Sequence, residues 1–205
     1  MALKLLIATG NPHKVEAIQR ILGDAPFELV TLSEFPDIEE PEETGTTFLA
    51  NALLKSRYYC QATGLPALAD DSGLEVDAMD GQPGVYSARF AGGDTPHSVK
   101  MAKVLELLAD VPEEKRTARF RCVAAITFPD GKELHADGSM EGVIAPAPSG
   151  TGGFGYDPIV YLPELGQTVA EISSAKKDQL SHRGKAFRAL ISQLLETTQG
   201  LSGAV

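Results

Sequence analysis

The chain has 205 residues and a formal net charge of −10, with 18 basic and 28 acidic side chains. Its hydrophobic content of 43% is ordinary for a globular protein and excludes wholesale disorder. The negative charge argues against nucleic acid or an anionic membrane surface as a partner. Two cysteines, Cys60 and Cys122, are too few for a disulfide scaffold or a four-cysteine zinc site, and we expect buried thiols in a reducing compartment.

The start of the chain lacks the long apolar segment and the small-residue cleavage site of a signal peptide. No apolar run approaches the roughly 20 residues that a membrane-spanning helix needs. We therefore expect a protein of the cytoplasm that has no membrane partner.

The first third of the chain follows the pattern strand, glycine turn, helix, strand. Residues 3–8 form a short apolar run that is typical of a buried strand. Asn11 suits the N-cap of a helix and Pro12 its first turn, and the apolar residues that follow recur at helical spacing. Residues 27–32 are predicted as a second strand, and residues 33–44 as an acidic, proline-containing loop.

The later elements predict an α/β fold with a mixed sheet. Residues 46–62 form a strong helical pattern in which Asn51 and Lys55, four positions apart, share one face. A short strand at 65–69 is predicted to end in the sequence Asp70-Asp71-Ser72-Gly73. The remaining predicted elements are a helix at 99–108, a hairpin of strands at 118–128 and 133–144, and a closing helix at 183–195. The hairpin makes the sheet mixed rather than purely parallel.

Residues 9–14 are a candidate phosphate site. A glycine turn at a helix N-terminus directs main-chain N–H groups and the positive end of the helix dipole at an anion, and Lys14 adds a full charge. The Walker pattern is absent, since no Gly-Lys-Ser/Thr follows. The alternative is an ordinary strand–helix turn with a surface lysine.

Two acidic segments are candidate metal sites. Glu43 lies in a run of glutamates, which is usually a solvated loop, but one such carboxylate is enough to help hold Mg²⁺ beside phosphate oxygens and water. Asp70 and Asp71 follow a predicted strand, where ligands of α/β sheets bind, and they repel each other unless a cation or donors compensate. The alternative is a structural turn with Gly73 at positive φ.

Two segments near the C-terminus are candidate nucleotide contacts. Residues 149–158 are rich in glycine, and their Phe154 and Tyr156 are candidates for stacking on a base, while Asp157 is a candidate acceptor from a sugar or base. A tightly turned loop is the alternative. Five basic residues and one acid lie between 173 and 188, a local reversal of charge whose alternative is a solvated helix surface: Lys176, Lys177, Arg183, Lys185 and Arg188.

Taken together, these segments resemble the inosine triphosphate pyrophosphatase family. Six strings carry the resemblance, in the family's order and across residues 8–186: ATGNPHK, EETGTTFLANALLK, ALADDSGLEVD, GQPGVYSARFAG, GTGGFGYDPIV and SHRGKA. One departure is the pair Pro12-His13, where many relatives carry smaller residues.

The resemblance implies an elongated α/β fold with a mixed, twisted sheet flanked by helices and two lobes around a central active-site cleft. A single domain of two lobes is expected over residues 1–198, followed by a disordered tail at 199–205. The resemblance also implies a homodimer and a requirement for Mg²⁺.

The implied reaction is hydrolysis of deaminated purine nucleoside triphosphates (ITP, dITP and XTP) to the monophosphate and pyrophosphate, which keeps these bases out of DNA and RNA. Carried over by motif, Asp71 is the catalytic residue, and Glu43 and Asp71 hold the metal. The role of Asp70 beside Asp71 stays open. The implied substrate-binding residues are Thr9, Gly10, Asn11, Pro12, His13, Lys14, Lys55, Ser72, Phe154, Gly155, Tyr156, Asp157, Lys177, His182 and Arg183.

Base selectivity must depend on the purine 6-position, which is an acceptor in hypoxanthine and xanthine and a donor in adenine. A fixed donor, such as a main-chain N–H or Arg183, leaves adenine unpaired, and such mismatches discriminate by about 10⁴-fold or more. Guanine must be rejected through its 2-amino group. Two alternatives stay open: a related pyrophosphatase for other modified or pyrimidine nucleotides, and a nucleotide-binding module without catalysis.

Overall fold

The computed structural model describes residues 3–23, 25–93 and 95–202, with side chains as far as Glu196. Within this range the strands are β1 (Leu3–Ile7), β2 (Phe27–Thr31), β3 (Ala67–Val76), β4 (Thr117–Thr127), β5 (Glu133–Ile144), β6 (Val160–Leu162) and β7 (Gln167–Thr168). The α-helices are α1 (Pro12–Leu22), α2 (Phe48–Thr63), α3 (His97–Leu107), α4 (Ser174–Leu180) and α5 (His182–Ser202).

The strands form one sheet in the order β2-β1-β3-β4-β5-β6-β7. β1 pairs in parallel with β2 and with β3, whereas β6 pairs antiparallel with β5 and with β7. The predicted hairpin of β4 and β5 closes where the Phe128 N–H donates to the Lys132 carbonyl, and Gly131 supplies a φ of +87°. The predicted mixed α/β sheet is therefore confirmed.

The opening strand, turn and helix form as the sequence predicts. Leu5, Leu6 and Ile7 are fully buried because helices cover both faces of β1: Leu5 and Ile7 lie in one core cluster with Ile18 and Phe187, and Leu6 lies in another with Tyr59. Asn11 caps α1: its side-chain oxygen accepts the main-chain N–H groups of His13 and Lys14 at 3.0 and 3.4 Å. The Asn11 cap therefore stabilises the turn between β1 and α1.

β3 departs from the prediction. The strand continues to Val76, so the predicted end at residue 69 is wrong, and the alternative of a structural turn at residues 70–73 is excluded. Gly73 is needed for close approach rather than for positive φ, because a Cβ there would lie 2.2 Å from the Gly84 carbonyl oxygen. The Ser87 hydroxyl also accepts the Leu74 N–H at 2.9 Å. Contacts from residues 84–87 therefore help to keep the second half of β3 extended.

Contacts divide the chain into two compact units. Unit 1 comprises the described residues within Met1–Asp71, Cys122–Gly138 and Arg183–Val205, and unit 2 those within Ser72–Arg121 and Ser139–His182. The core of unit 1 includes Ile18, Leu68 and Phe187, and that of unit 2 includes Leu108 and Ile159, all fully buried. The boundary falls within β3, so this strand carries Asp70 and Asp71 in unit 1 and Ser72 in unit 2.

The last helix, α5, extends beyond the predicted end at Leu195 and reaches Ser202. The remainder of the expected tail, residues 203–205, lies outside the described residues. Cys60 and Cys122 are buried thiols, as expected. Among the described helices, none combines the length and the apolar character that crossing a membrane requires.

Replacing Thr47 by Ala tests the cap of α2, the helix that carries Lys55. The Thr47 hydroxyl accepts the Ala50 N–H at 3.1 Å, and loss of such a cap costs about 1 kcal/mol. We expect the melting temperature, measured by circular dichroism, to fall by about 2–4 °C. The neighbouring variant Thr46→Ala removes an exposed hydroxyl outside the cap and should melt like wild type. An equal fall in both variants would contradict the assignment.

Candidate active site

Asp70 lies at the centre of a buried ion-pair cluster in unit 1. Its Oδ2 is 3.0 Å from Lys14 Nζ and 3.3 Å from Arg183 Nη2, and its side chain is fully buried. Burial by itself would raise the pKa of Asp70, but Lys14, Arg183 and Lys55 outweigh burial and hold this pKa far below its usual range. Asp70 therefore stays ionised and anchors two cations.

Asp71 has different surroundings, although it is the next residue of β3. Its Oδ2 accepts a hydrogen bond of 2.9 Å from Asn51 Nδ2, and its Oδ1 lies 3.8 Å from Lys55 Nζ. Burial, assisted by the nearby Glu43 carboxylate, raises the pKa of Asp71 in spite of Lys55 and Asn51. Asp71 is thus the more basic of the two carboxylates, which suits a proton acceptor.

Glu43 and Asp71 converge on the ammonium group of Lys55. The Lys55 Nζ donates to Glu43 Oε1; Lys55 is buried, whereas Glu43 is half-buried. Burial alone would lower the pKa of Lys55, but the charges of Asp71, Asp70 and Glu43 raise it. Two carboxylates around one positive charge match the donors that Mg²⁺ takes from a protein when phosphate and water complete its shell. The residues therefore fit a divalent cation.

The described side chains supply only part of the coordination shell that a divalent cation needs. Within the described part of the chain, no three His, Cys, Asp or Glu side chains are arranged to hold a metal ion. Glu43 and Asp71 would therefore supply only part of a cation's shell, and phosphate and water would have to complete it.

Residues 9–14 form the N-terminal end of α1, as predicted. Thr9 is half-buried, residues 10–13 are exposed, and Lys14 points its ammonium at Asp70. The main-chain N–H groups of His13 and Lys14 are bound to Asn11, and that of Asn11 to the Thr9 hydroxyl at 3.3 Å. An anion at this end would therefore be drawn by the helix dipole and by Lys14.

The glycine-rich segment, residues 149–158, is tied down within unit 2. Asp157 Oδ2 accepts the Phe154 N–H at 2.8 Å and the Lys177 ammonium, which also lies 4.9 Å from the centre of the Phe154 ring. Gly153 has a φ of +70°, and a Cβ there would lie 1.9 Å from Asp157 Oδ2. The segment is therefore shaped by its own contacts and brings Phe154, Asp157 and Lys177 together.

Tyr156 differs from the expectation that it stacks on a base. Its ring is 5% exposed and lies in the core of unit 2, and its hydroxyl donates to the Ser87 carbonyl at 2.9 Å. Burial raises the pKa of Tyr156. Tyr156 therefore holds the segment in place, and the half-buried Phe154 is left as the candidate for stacking.

The other predicted residues have varied surroundings. Ser72 is half-buried in β3, and Gly155 has a φ of +69° with open space where a Cβ would stand. The buried ring of His182 stacks on Phe120 with centroids 5.0 Å apart. Of the basic segment, Lys177 binds within unit 2 and Arg183 within unit 1, whereas the others are exposed on the surface: Lys176, Lys185 and Arg188.

Sequence reasoning missed one residue of this site, Asn51. The amide is fully buried and touches Asp71 directly. Two signals in the sequence pointed to it: its place in the string EETGTTFLANALLK and its spacing of four from Lys55, which puts both on one face of α2.

Comparison with known proteins gives a consistent result. The sequence profile of the Ham1 family matches residues 5–193. The chain is 51% identical to a dITP/XTP pyrophosphatase of Desulforamulus reducens over 186 residues, which cover 91% of this chain and 92% of that protein.

Solved structures agree with the sequence comparison. A HAM1 protein from Coxiella burnetii superimposes with a TM-score of 0.87 at 40% identity and covers 95% of this chain and 99% of its own. A nucleoside-triphosphatase / dITP/XTP pyrophosphatase from Mycobacterium abscessus gives a TM-score of 0.74 at 43% identity, with coverage of 94% and 99%. The family expected from the six strings is confirmed, and the chain belongs to the Ham1 family.

Proposed function

We propose that this chain hydrolyses deaminated purine nucleoside triphosphates, namely ITP, dITP and XTP, to the nucleoside monophosphate and pyrophosphate. The observation that carries the proposal is the pair formed by Glu43 and Asp71 around Lys55, beside the cluster of Lys14, Asp70 and Arg183. It combines a basic carboxylate with buried cations, the two requirements for attack of water on a phosphate. Relatives of the Ham1 family named dITP/XTP pyrophosphatase support the same reaction.

Mg²⁺ would be held by Glu43 and Asp71. When bound, it neutralises phosphate charge and orients the phosphate oxygens. Lys14 and Lys55 supply further positive charge to the triphosphate, so that an acidic chain can receive an anion. Because Asp71 Oδ2 carries the hydrogen bond from Asn51, we assign Oδ1 as the atom that takes the proton of the attacking water.

Recognition of the nucleoside is assigned to Phe154 and Lys177. The half-buried Phe154 ring offers a stacking face, and the Lys177 ammonium lies beside it. The purine 6-oxygen is assigned to a fixed main-chain N–H donor, which leaves the amino group of adenine without a partner. The enzyme is proposed to act as a homodimer in the cytoplasm, where the triphosphate pool is used.

A panel of substrates tests this function. Purified protein with Mg²⁺ is mixed with ITP, dITP, XTP, ATP or GTP, and kcat/KM is measured for each from the released pyrophosphate. We expect the three deaminated substrates to exceed ATP by about 10⁴-fold, since the amino group of adenine meets an unpaired donor. Equal turnover of ATP and ITP would refute the selectivity. Tight binding of ITP without turnover would indicate a binding module instead.

Lys177→Ala is expected to raise KM for ITP about tenfold while kcat changes less. The reason is that Lys177 lies beside Phe154 in unit 2 and binds substrate rather than the reacting atoms. A tenfold change corresponds to a loss of about 1.4 kcal/mol of binding free energy. Steady-state kinetics of this variant is compared with that of Lys176→Ala, which removes an exposed neighbouring charge and should keep the wild-type KM. A loss confined to kcat would contradict the assignment.

A further inference from the structure

Asn51 is a fully buried amide of α2 with a contact on each side of its side chain. Its Nδ2 donates to Asp71 Oδ2 at 2.9 Å, and its Oδ1 accepts the Gly45 main-chain N–H at 2.7 Å. We propose that Asn51 is a positioning residue, which orients the Asp71 carboxylate and ties the loop that carries Glu43 to it. The inference rests on the proposed function, because it concerns the same two carboxylates.

The orientation of the Asn51 amide follows from its contacts. The Gly45 N–H is a donor and must meet the amide oxygen, so Nδ2 is left to face Asp71, whose carboxylate accepts. The amide therefore cannot turn over without losing both hydrogen bonds. One carboxylate oxygen of Asp71 is bound by this amide, and the other lies 3.8 Å from Lys55 Nζ.

The helix makes this arrangement rigid. Asn51 and Lys55 stand one turn apart in α2, so one helix provides both a hydrogen bond to Asp71 Oδ2 and an ion pair at 3.8 Å to its Oδ1. The Asn51 N–H donates to the Thr47 carbonyl at 3.1 Å, which places the amide in the first turns after the helix cap. The hydrogen bond and the ion pair come from one helix, and together they restrict rotation of the Asp71 carboxylate.

Gly45 shows how closely the loop approaches. A Cβ at position 45 would lie 2.4 Å from Asn51 Oδ1 and 2.9 Å from the Ala50 Cβ, although the backbone itself is not in the left-handed region. Glycine is therefore required by contact with Asn51. Glu43 lies two residues before Gly45. The contact between Asn51 and Gly45 therefore also fixes the backbone position from which the Glu43 side chain extends.

The direct test removes the amide while nearly keeping its size, in the variant Asn51→Leu. Binding of Mn²⁺ without nucleotide is measured by the loss of the free-ion signal in electron paramagnetic resonance, and turnover of ITP is measured separately. We expect affinity for Mn²⁺ and kcat each to fall about 10–100-fold, the usual cost of losing a partner behind a metal ligand. KM for ITP should change less, since Lys14 and Lys177 remain.

A matched control separates positioning from loss of stability. Ser56 lies five residues further along α2, and its hydroxyl is within 2.8 Å of the Thr127 hydroxyl in a buried hydrogen bond. Ser56→Ala removes a buried hydrogen bond worth about 1 kcal/mol from the same helix, yet it should keep the wild-type kcat and Mn²⁺ affinity. Wild-type values of both in folded Asn51→Leu, or equal losses in Ser56→Ala, would overturn the proposal.

A second variant changes the loop residue that contacts Asn51, and it keeps the proposal testable if Asn51→Leu does not fold. Gly45→Ala pushes Asn51 aside without deleting it, and should lower Mn²⁺ affinity and kcat in the same direction. Its control is Gly93→Ala, where a Cβ meets nothing within 4 Å. Unchanged Mn²⁺ affinity and kcat in Gly45→Ala would refute the inference. If the wild type releases no pyrophosphate from ITP, the proposed function fails, and the Mn²⁺ titration alone decides the role of Asn51.

Discussion

Replacing Asp71 by Asn is expected to lower kcat for ITP by about 10³-fold or more while the fold is kept. A positioned general base contributes about 10²–10⁴-fold, and Asp71 is also one of the two carboxylates assigned to the metal. The fold should tolerate the change because burial raises the pKa of Asp71, which means that the native protein holds this charge at a cost. The amide removes the charge and keeps the shape.

Two measurements check this result. Single-turnover and steady-state kinetics give kcat, and circular dichroism should give a melting temperature equal to that of the wild type or higher. Asp130→Asn, in the exposed turn between β4 and β5, is the control that changes an acid away from the site and should turn over like wild type. Activity of Asp71→Asn within threefold of wild type would exclude Asp71 as the base.

Replacing the neighbouring Asp70 by Asn is expected to have its main effect on stability. The fully buried carboxylate is paired with Lys14 and Arg183, and the pKa of Asp70 is held far below its usual range by these cations. Removing one partner of a buried ion pair leaves uncompensated charge and costs about 3–5 kcal/mol. We therefore expect the melting temperature to fall by about 10 °C or more.

Thermal and urea unfolding measure this loss. Glu28→Gln serves as the control, because it breaks an ion pair with Lys4 whose two side chains are 55% and 53% exposed. An exposed pair contributes at most about 1 kcal/mol, so this variant should unfold close to wild type. If Asp70→Asn were as stable as Glu28→Gln, the buried cluster would not have the structural role assigned to it.

Local features of the sequence predict much of the fold. The short apolar run of β1, the Asn11 cap and the hairpin turn at Gly131 are set by neighbouring residues, and all three are found. β6 and β7 are only three and two residues long, too short to show a period. The extension of β3 depends on Gly84, which approaches Gly73 from a segment eleven positions later.

The candidate site is predictable by residue type but not by role. The adjacent Asp70 and Asp71 are indistinguishable in the sequence, and they differ in the structure because Asp70 pairs with Arg183, 113 positions away, whereas Asp71 accepts a hydrogen bond from Asn51. The sequence places Asn51 in a helix, but only the structure shows that it contacts both Asp71 and the loop at Gly45. Likewise, only the structure shows that Tyr156 lies in the core, where its hydroxyl donates to the Ser87 carbonyl. These differences come from tertiary contacts, which no local pattern carries.

The products of ITP hydrolysis test the central claim most directly. Phosphorus-31 nuclear magnetic resonance of wild-type protein with Mg²⁺ and ITP distinguishes cleavage between the α- and β-phosphates from removal of the terminal phosphate. The proposed function predicts inosine monophosphate and pyrophosphate in equal amounts, with no inosine diphosphate. Orthophosphate together with inosine diphosphate would contradict it.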